Sequence, residues 1–427
     1  MKKLVIIKRE GKKKDVVNVE LNLEESKIQL IQLLIPIGIQ AVQDCLQEEV
    51  VKLAGARYSH DKNIDNVRWG TNPGSAYLGD QKVEIKVPRV KNLTTDNFVT
   101  LENYKKFQAE QIINDLALKR VLNGISCNNY KEASINTAET FGISKSSISK
   151  KFINASAKQL ESFENRDLRE HDIVAIIIDG KRLGNTDMLL ALGITLTGRK
   201  IFLGFIETST ENEKVCKDLL LKLKDRGLNT NKDVLFLIDG AKGIHKAIKS
   251  VFREFGHIQR CQWHKRENVK AYLNKTDQKK YSKKVREAYL EKDYNKAKSE
   301  IESIANEVGY INISAKKSLL EGLSEILTLH KLNLAGTELY RSLKTTNCIE
   351  SVNSQIGSKL DKVDYWKNSS QRQRWFASSL LSIEPNLSLV RGRMWLKTLR
   401  ENMIKNRLKT KETEAEKENN LVVKEAA

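Results

Sequence analysis

The chain has 427 residues, enough for several domains with hydrophobic cores, which excludes the small scaffolds that depend on disulfide bonds. Lys and Arg number 74 against 54 Asp and Glu, and the formal charge of +20 makes nucleic acid the leading class of partner. Five scattered cysteines, no apolar run of membrane-spanning length and no signal-peptide pattern predict a cytoplasmic protein that does not contact a membrane.

The first hundred residues divide into two predicted regions. Residues 1–56 begin with a run of lysines, and apolar residues at helical spacing from Ile28 to Ile35 predict a helical basic region interrupted near Pro36. Residues 57–100 are richer in aromatic and β-branched residues broken by glycine turns, and they end in the alternating pattern of Val83 to Val90. This second stretch predicts a small β-rich unit.

Residues 101–165 are predicted to contain a helix-turn-helix that binds DNA. Ala138, Gly142 and Ile148 have the spacing of a small residue where two helices cross, a glycine in the turn and an apolar anchor in the second helix. That second helix would run from Lys145 to Phe152, and a plain helical hairpin is the alternative. The side chains expected to contact phosphates and base edges are Lys145, Ser146, Ser149 and Lys150.

Residues 166–264 have the pattern of an α/β core. Three successive apolar strands predict a meander, and two further strands alternate with helices, which implies a mixed sheet covered by helices. Residues 265–344 show no strand pattern and predict an all-helical insertion, after which residues 345–400 return to the core. The stretch 401–427 is charged and is expected to be a frayed tail.

Two predicted strands end in nearly the same phrase, IIIDG with Asp179 and FLIDG with Asp239. If the strands are neighbours, their spacing of about 4.8 Å brings the two carboxylates together. Like charges this close repel each other unless a cation lies between them, and Mg²⁺ suits carboxylate and phosphate oxygens. The alternative is that each Asp-Gly is an ordinary turn after a strand.

Glu350 is the third candidate acid. The segment after Thr346 is predicted to be helical, with an apolar stripe and beside it a polar stripe that contains Asn347 and Glu350. Glu350 is therefore able to lie at the edge of the sheet. Spacing alone favours a different role, because Asn347 as the N-cap with Glu three residues later is a capping box.

Cys261 and His264 stand at metal-ligand spacing, but zinc needs about four ligands and the sequence has no second pair of this kind. Zinc is therefore disfavoured, and the preferred interpretation is a buried Cys and a hydrogen-bonded His that brace the site. The segments GKRLG and GAKG lack the spacing of a phosphate-binding loop, so ATP is not expected.

Together these segments resemble the Mutator-type DDE transposases of bacterial insertion sequences. The resemblance rests on the order of strand-Asp179, strand-Asp239, QRCQWHKREN (Gln259 to Asn268), a helical stretch and TTNCIESVN (Thr345 to Asn353). It covers residues 172–360 well and the N-terminal part more loosely. Two positions depart from the family pattern, because Ser351 stands where Arg is usual and Cys216 near a position where Trp is common.

The resemblance implies a ribonuclease H-like catalytic core interrupted by the helical insertion, with Asp179, Asp239 and Glu350 as the catalytic, metal-binding triad. It implies two Mg²⁺ ions, with Mn²⁺ as a substitute, and cleavage and transfer of DNA strands at the terminal inverted repeats of an element. A homodimer or larger assembly on the repeats and target DNA, in the prokaryotic nucleoid, is expected. Site-supporting residues are Cys261, His264, Arg266 and Asn347, and further DNA contacts are Arg372 and Arg374.

Two other functions fit part of the sequence. A non-catalytic, sequence-specific DNA-binding protein, either a regulator or a decayed transposase, explains the charge and the helix-turn-helix but not three acids in this order. A zinc-dependent nuclease built on Cys261 and His264 lacks ligands. Mg²⁺-dependent strand cleavage separates these interpretations.

Overall fold

The computed structural model describes residues 4–10, 13–19, 25–58, 64–78, 81–108, 122, 145–210 and 212–425. The chain divides into two compact units, Met1–Ala157 and Lys158–Ala427, each with its own apolar core. Among the described helices, none combines the length and the apolar character that a membrane crossing requires.

The first unit contains two antiparallel sheets and a long helix. Its strands are β1 (Leu4–Glu10), β2 (Lys13–Val19), β3 (Asn66–Leu78), β4 (Gln81–Asn92) and β5 (Phe98–Val99), and its helices are α1 (Glu25–Ala54), α2 (Glu102–Phe107) and α3 (Lys145–Glu164), which continues into the second unit. β1 pairs with β2, and β4 lies between β3 and β5. The core forms where α1 packs on β3 and β4, and it includes Leu46, Val50, Ile85 and Val90.

Two expectations for the N-terminal region are wrong. Residues 4–10 and 13–19 form paired strands rather than part of a helical region, because β-branched residues are frequent in both segments and favour extended backbone. Helix α1 also continues through Pro36 without a break. A proline inside a helix removes one backbone hydrogen bond, and the other turns of this 30-residue helix are enough to keep it continuous.

Most of the predicted helix-turn-helix, Lys131 to Phe152, lies outside the described residues. Its final part, residues 145–152, forms the start of α3. In that part Phe152 is buried, and Ser149 and Lys150 are exposed. The helix-turn-helix itself stays a prediction.

A five-stranded mixed sheet forms the centre of the second unit. Its strands are β6 (Ile173–Leu183), β7 (Thr186–Thr195), β8 (Lys200–Thr208), β9 (Val234–Ile238) and β10 (Gly256–Arg260). The first three form an antiparallel meander, whereas β9 pairs parallel with β6, and β10 parallel with β9. The order across the sheet is β10-β9-β6-β7-β8, so only β7 runs against the other four strands. The predicted meander and mixed sheet are confirmed.

Helices and short 3-10 turns make up most of the rest of this unit. The helices are α4 (Glu213–Asp225), α5 (Lys242–Phe252), α6 (Gln262–Lys270), α7 (Lys275–Ala288), α8 (Tyr294–Gly309), α9 (Ile313–Leu320), α10 (Leu323–Ile326), α11 (Thr328–Lys331), α12 (Glu338–Leu343), α13 (Asn347–Leu360), α14 (Ser369–Ile383) and α15 (Leu396–Glu425), and the 3-10 turns are Arg253–Phe255, Glu384–Asn386 and Arg393–Trp395. Helices α6 to α10 contribute to a separate apolar core. Gln259 in β10 joins this helical part to the sheet, because its side chain donates to the carbonyl of Ile326 at 2.7 Å and accepts from the amide of Leu329 at 2.9 Å.

Helices cover both faces of the sheet. On one face, α4 and α5 share a core with β6 and β9, and Ile178 of β6 is part of it. Successive side chains of a strand point to opposite faces, so Asp179 points to the other face. There α13 and α15 contact β6. The fold therefore sets Asp179 against the helix that carries Glu350.

The expectation of a frayed tail from residue 401 is wrong for the residues whose side chains are described. Leu396, Leu399 and Met403 are fully buried along one stripe of α15. Arg407 Nε then lies 3.0 Å from the buried Asp233 carboxylate, and Lys411 forms an ion pair on the surface. A narrow apolar stripe and ion pairs to distant residues are sufficient to dock this highly charged helix.

Candidate active site

Parallel pairing of β6 with β9 places Asp179 and Asp239 at the same level of the sheet. Ile177 is the partner of Leu237, so continuing the register by two residues sets Asp179 opposite Asp239. Asp239 directly follows β9, and its Oδ1 accepts a hydrogen bond from the amide of Ala241 at 2.9 Å, where α5 begins. The two acids therefore sit side by side, as the repeated phrase predicts.

The turn interpretation holds for one of these acids and fails for the other. Asp239 caps a turn, since its side chain bonds to the backbone two residues on and Gly240 has a positive φ of 113°. Asp179 does not end its strand, because β6 continues to Leu183 and Asp179 pairs with Leu190 of β7. No local turn explains why an acid stands at position 179.

Glu350 reaches this place from α13. The helix begins at Asn347, and the residue before it is Thr346, whose carbonyl accepts the amide of Glu350 at 3.0 Å. The capping-box interpretation is therefore wrong, since Asn347 is exposed in the first turn and not the N-cap. Instead, Thr346 Oγ1 donates to Glu350 Oε1 at 3.0 Å. This bond fixes one carboxylate oxygen of Glu350.

Asn353 joins the site although sequence reasoning did not single it out. Its Nδ2 donates to Asp179 Oδ2 at 2.9 Å, which links the helix of Glu350 to the strand of Asp179. Asn353 is only 8% exposed, and its Oδ1 is buried without a hydrogen-bond partner among the described residues. The available signal was its place three residues after Glu350, which puts both on the same side of a helix.

The electrostatics show how closely the acids approach. Burial raises the pKa of Asp179 to about 6, and the negative charges of Asp239 and Glu350 add to the rise, while His264 opposes it. Repulsion of this kind is the effect expected when carboxylates share a site without a cation between them. The three candidate acids and His264 therefore act on one another.

Cys261 and His264 support this arrangement through Thr346. Cys261 is fully buried, and its Sγ lies 3.5 Å from the amide and 3.4 Å from the hydroxyl of Thr346. The same hydroxyl is 3.4 Å from Nδ1 of His264. Burial works to raise the pKa of the Cys261 thiol, but hydrogen bonds from His264 and Thr346 bring it below its ordinary value. The hydrogen bond to Cys261 in turn raises the pKa of His264.

The other predicted residues lie elsewhere. Arg266 is half-buried on α6, and its charge acts on Tyr289 and Lys344 of the helical part. Arg372 is held by Glu207, with 2.5 Å between Nε and Oε1. The remaining predicted residues are Arg374, whose Nε lies 3.4 Å from Ser370 Oγ, the exposed Ser149 and Lys150, and Lys145 and Ser146, whose side chains fall outside the described residues.

Within the described part of the chain, no group of three His, Cys, Asp or Glu side chains is arranged to hold a metal ion as it stands. The converging donors of this site are carboxylate oxygens from Asp179, Asp239 and Glu350, with the unpartnered Oδ1 of Asn353 nearby. Oxygen donors of this type match the preference of Mg²⁺ and not that of softer metals.

Comparison with known proteins gives the family. The family model "Transposase, Mutator family" matches residues 12–384. The transposase for insertion sequence element IS6120 of Mycolicibacterium smegmatis is 30% identical over 199 residues, 45% of this chain and 60% of that protein. The transposase for insertion sequence element IS256 in transposon Tn4001 of Staphylococcus aureus is 25% identical over 343 residues, 76% of this chain and 83% of that protein. Since the family model extends from the first sheet to the end of the helix after that of Glu350, the chain belongs to the Mutator family of transposases.

Proposed function

We propose that this protein binds the terminal inverted repeats of an insertion sequence and cuts and transfers DNA strands there, in a Mg²⁺-dependent reaction at Asp179, Asp239 and Glu350. One observation carries the proposal. Acids from β6, from the end of β9 and from α13 converge closely enough that two of them raise the pKa of the third. In a member of a transposase family, such a cluster is the natural place for the chemistry.

The strand order supports a ribonuclease H-like core. An antiparallel meander of three strands is followed by two strands added in parallel on the side of the first, which is the arrangement that this fold requires. Asp179 then lies in β6, the central strand, and Asp239 directly follows the neighbouring strand β9. Glu350 is contributed by a helix that the chain reaches only after the long helical stretch.

The residues present fit Mg²⁺. Three carboxylates repel one another without a cation, and the buried Oδ1 of Asn353 lacks a partner among the described residues. Asp179, Asp239 and Glu350 would hold the metal. When bound, Mg²⁺ supplies activation of the attacking oxygen and stabilisation of the leaving oxygen in phosphodiester chemistry.

The remaining residues of the site hold the acids in place. Asn353 donates to Asp179, and Thr346 donates to Glu350, so one oxygen of each of these two acids is fixed. Cys261 and His264 contact Thr346 and hold its hydroxyl. Because these contacts already restrict the carboxylates, less conformational entropy is lost when substrate binds.

DNA binding is the second part of the proposal. The charge of +20 favours a polyanion, and Ser149 and Lys150 are exposed on α3, where the sequence predicts the reading helix. Cutting two ends of an element together requires at least a dimer on DNA. The S. aureus and M. smegmatis relatives carry the name of transposase, which supports the same activity here.

The test uses duplexes that carry the inverted repeats flanking the coding region. The protein is incubated with them in Mg²⁺, in Ca²⁺ or in EDTA, and strand cleavage is followed on denaturing gels while binding is followed by gel shift. We expect binding in Ca²⁺ and cleavage only in Mg²⁺. Binding without cleavage in Mg²⁺ would favour the non-catalytic DNA-binding protein.

A further inference from the structure

Lys181 follows Asp179 by two residues on the same strand. Asp179 pairs with Leu190 of β7 and Lys181 with Met188, with no irregularity between them. Because side chains alternate along a strand, Asp179 and Lys181 point to the same face, about 7 Å apart, whereas Arg182 points to the other. Lys181 therefore stands on the face where the acids meet.

The helix that carries Glu350 leaves room for this lysine. Asn353 of α13 contacts Asp179, and one turn later Gly357 lies beside Lys181. A Cβ atom added at Gly357 would be 3.2 Å from the Lys181 ammonium, a tight approach. Glycine inside a helix lowers stability relative to alanine. The buried Gly357 does leave the space that the side chain of Lys181 occupies.

Among the described residues, no carboxylate forms an ion pair with the ammonium of Lys181, although Asp361 Oδ2 also faces Gly357. By contrast, the neighbouring Arg182 pairs with Asp187 at 3.0 Å. A half-buried cation that no described carboxylate pairs with, on the face of the acids, is suited to an anion that arrives with the substrate.

We propose that Lys181 is a substrate-positioning residue that binds a backbone phosphate of the DNA beside the phosphodiester that is cut. The acids alone repel the DNA backbone, and a cation two residues along the strand offsets that repulsion and fixes the strand relative to Asp179. The inference rests on the proposed function of this site and adds a residue to it.

The first experiment compares Lys181→Met with Arg182→Met, a matched control on the opposite face of the strand. Binding to an inverted-repeat duplex is measured in Ca²⁺ over a range of salt, without cleavage. We expect Lys181→Met to bind about tenfold more weakly at low salt and to reduce the slope of log Kd against log salt by about one. Lys181→Arg should retain most of the affinity, and Arg182→Met should bind like the wild type.

The second experiment locates the phosphate. Single phosphates around the cleavage site are replaced by neutral methylphosphonates, one per duplex. At the contacted position the wild type should lose about as much affinity as Lys181→Met loses, and Lys181→Met should lose nothing further. Gly357→Ala should leave the melting temperature unchanged or higher, since only a flexible ammonium must move, and should weaken binding to an intermediate degree.

Two results would overturn the proposal. One is equal weakening by Lys181→Met and Arg182→Met, and the other is full additivity of Lys181→Met with every methylphosphonate. A wild-type protein that binds the duplex and never cleaves it in Mg²⁺ would instead refute the proposed function. The binding comparison in Ca²⁺ still decides the role of Lys181 in that event.

Discussion

The amide of Asn353 donates a hydrogen bond to the carboxylate of Asp179, with 2.9 Å between Nδ2 and Oδ2. The two residues are 174 positions apart, and their contact ties α13, the helix that carries Glu350, to β6 at Asp179. The hydrogen bond of Asn353 therefore joins the two elements that carry Asp179 and Glu350.

Asn353→Ala should lower the rate of cleavage about tenfold and raise the Mg²⁺ concentration needed for half-maximal rate, because Asp179 loses the bond that orients it. Ser354→Ala, at the exposed neighbouring position, is the control. Cleavage is measured against Mg²⁺ concentration for both variants. Identical Mg²⁺ dependence in wild type and Asn353→Ala would show that the bond does not position Asp179.

Thr346→Val should lower cleavage by about tenfold or more and destabilise the fold by about 1 to 2 kcal/mol, because Glu350 and Cys261 both lose the hydroxyl that they contact. Thr346→Ser keeps the hydroxyl and should retain most of both properties. Thr345→Val, at the preceding position, is the control. Cleavage rates and melting temperatures are compared across the set, and a Thr346→Ser variant as impaired as Thr346→Val would argue against the hydroxyl.

Because the pKa of Asp179 is raised, we expect the free energy of unfolding to depend on pH. Burial, with the charges of Asp239 and Glu350, raises this pKa to about 6 from 3.8, so the folded protein binds the proton more tightly than the unfolded chain. Stability from this group is therefore full below the unfolded pKa and falls as the pH rises through the folded pKa. Without divalent metal, Asp179→Asn should be more stable than wild type by on the order of 2 kcal/mol at pH 7.5 and equal to it near pH 4.

Urea unfolding at these two pH values measures the effect, and Asp364→Asn at an exposed position is the control. A difference between Asp179→Asn and wild type that is the same at both pH values would contradict the account. Added Mg²⁺ should stabilise the wild type and not Asp179→Asn, since the variant lacks a metal ligand.

Arg407 should be the residue that docks the C-terminal helix. Burial works to raise the pKa of Asp233, but His257 and Arg407 hold it below its ordinary value, so this stabilisation is present above the unfolded pKa and is lost as the pH falls through the folded pKa. Arg407→Met should cost about 2 kcal/mol at neutral pH, because it leaves a buried carboxylate short of a partner. Lys411→Met removes a more exposed ion pair on the same helix and should cost much less, because solvent screens that pair. Equal losses of the free energy of unfolding would refute this assignment.

Most of the sheet could be predicted from the sequence because its central strands are continuous apolar runs. The same runs end at Asp179 and Asp239, and the parallel register of β6 and β9 then follows from their shared pattern. The environment of Glu350 could not be predicted in this way. Its N-terminal helical turn resembles a capping box, whereas the contacts of Thr346 with Cys261 and His264 join residues 85 and 82 positions apart in the chain.

Contacts between residues far apart in the chain also explain the other differences between the predictions and the structure. Asn353 was missed because its partner is 174 residues away, and the docked part of α15 was expected to fray because its partner Asp233 is equally distant. Local patterns report helix and strand periodicity, whereas these contacts depend on how elements far apart in the chain are brought together.

If Asp179, Asp239 and Glu350 hold the metal that cuts DNA, removing the charge of any one of them must stop cleavage. Cleavage of an inverted-repeat duplex in Mg²⁺ is compared for wild type, Asp179→Asn, Asp239→Asn and Glu350→Gln, with gel-shift binding in Ca²⁺ and Glu302→Gln, at an exposed position, as the control. We predict that the three site variants bind the duplex and cut it at least about a thousandfold more slowly, while the control cuts normally. Near-normal cleavage by Glu350→Gln would contradict the account, because a neutral amide preserves the shape of the side chain and not its charge.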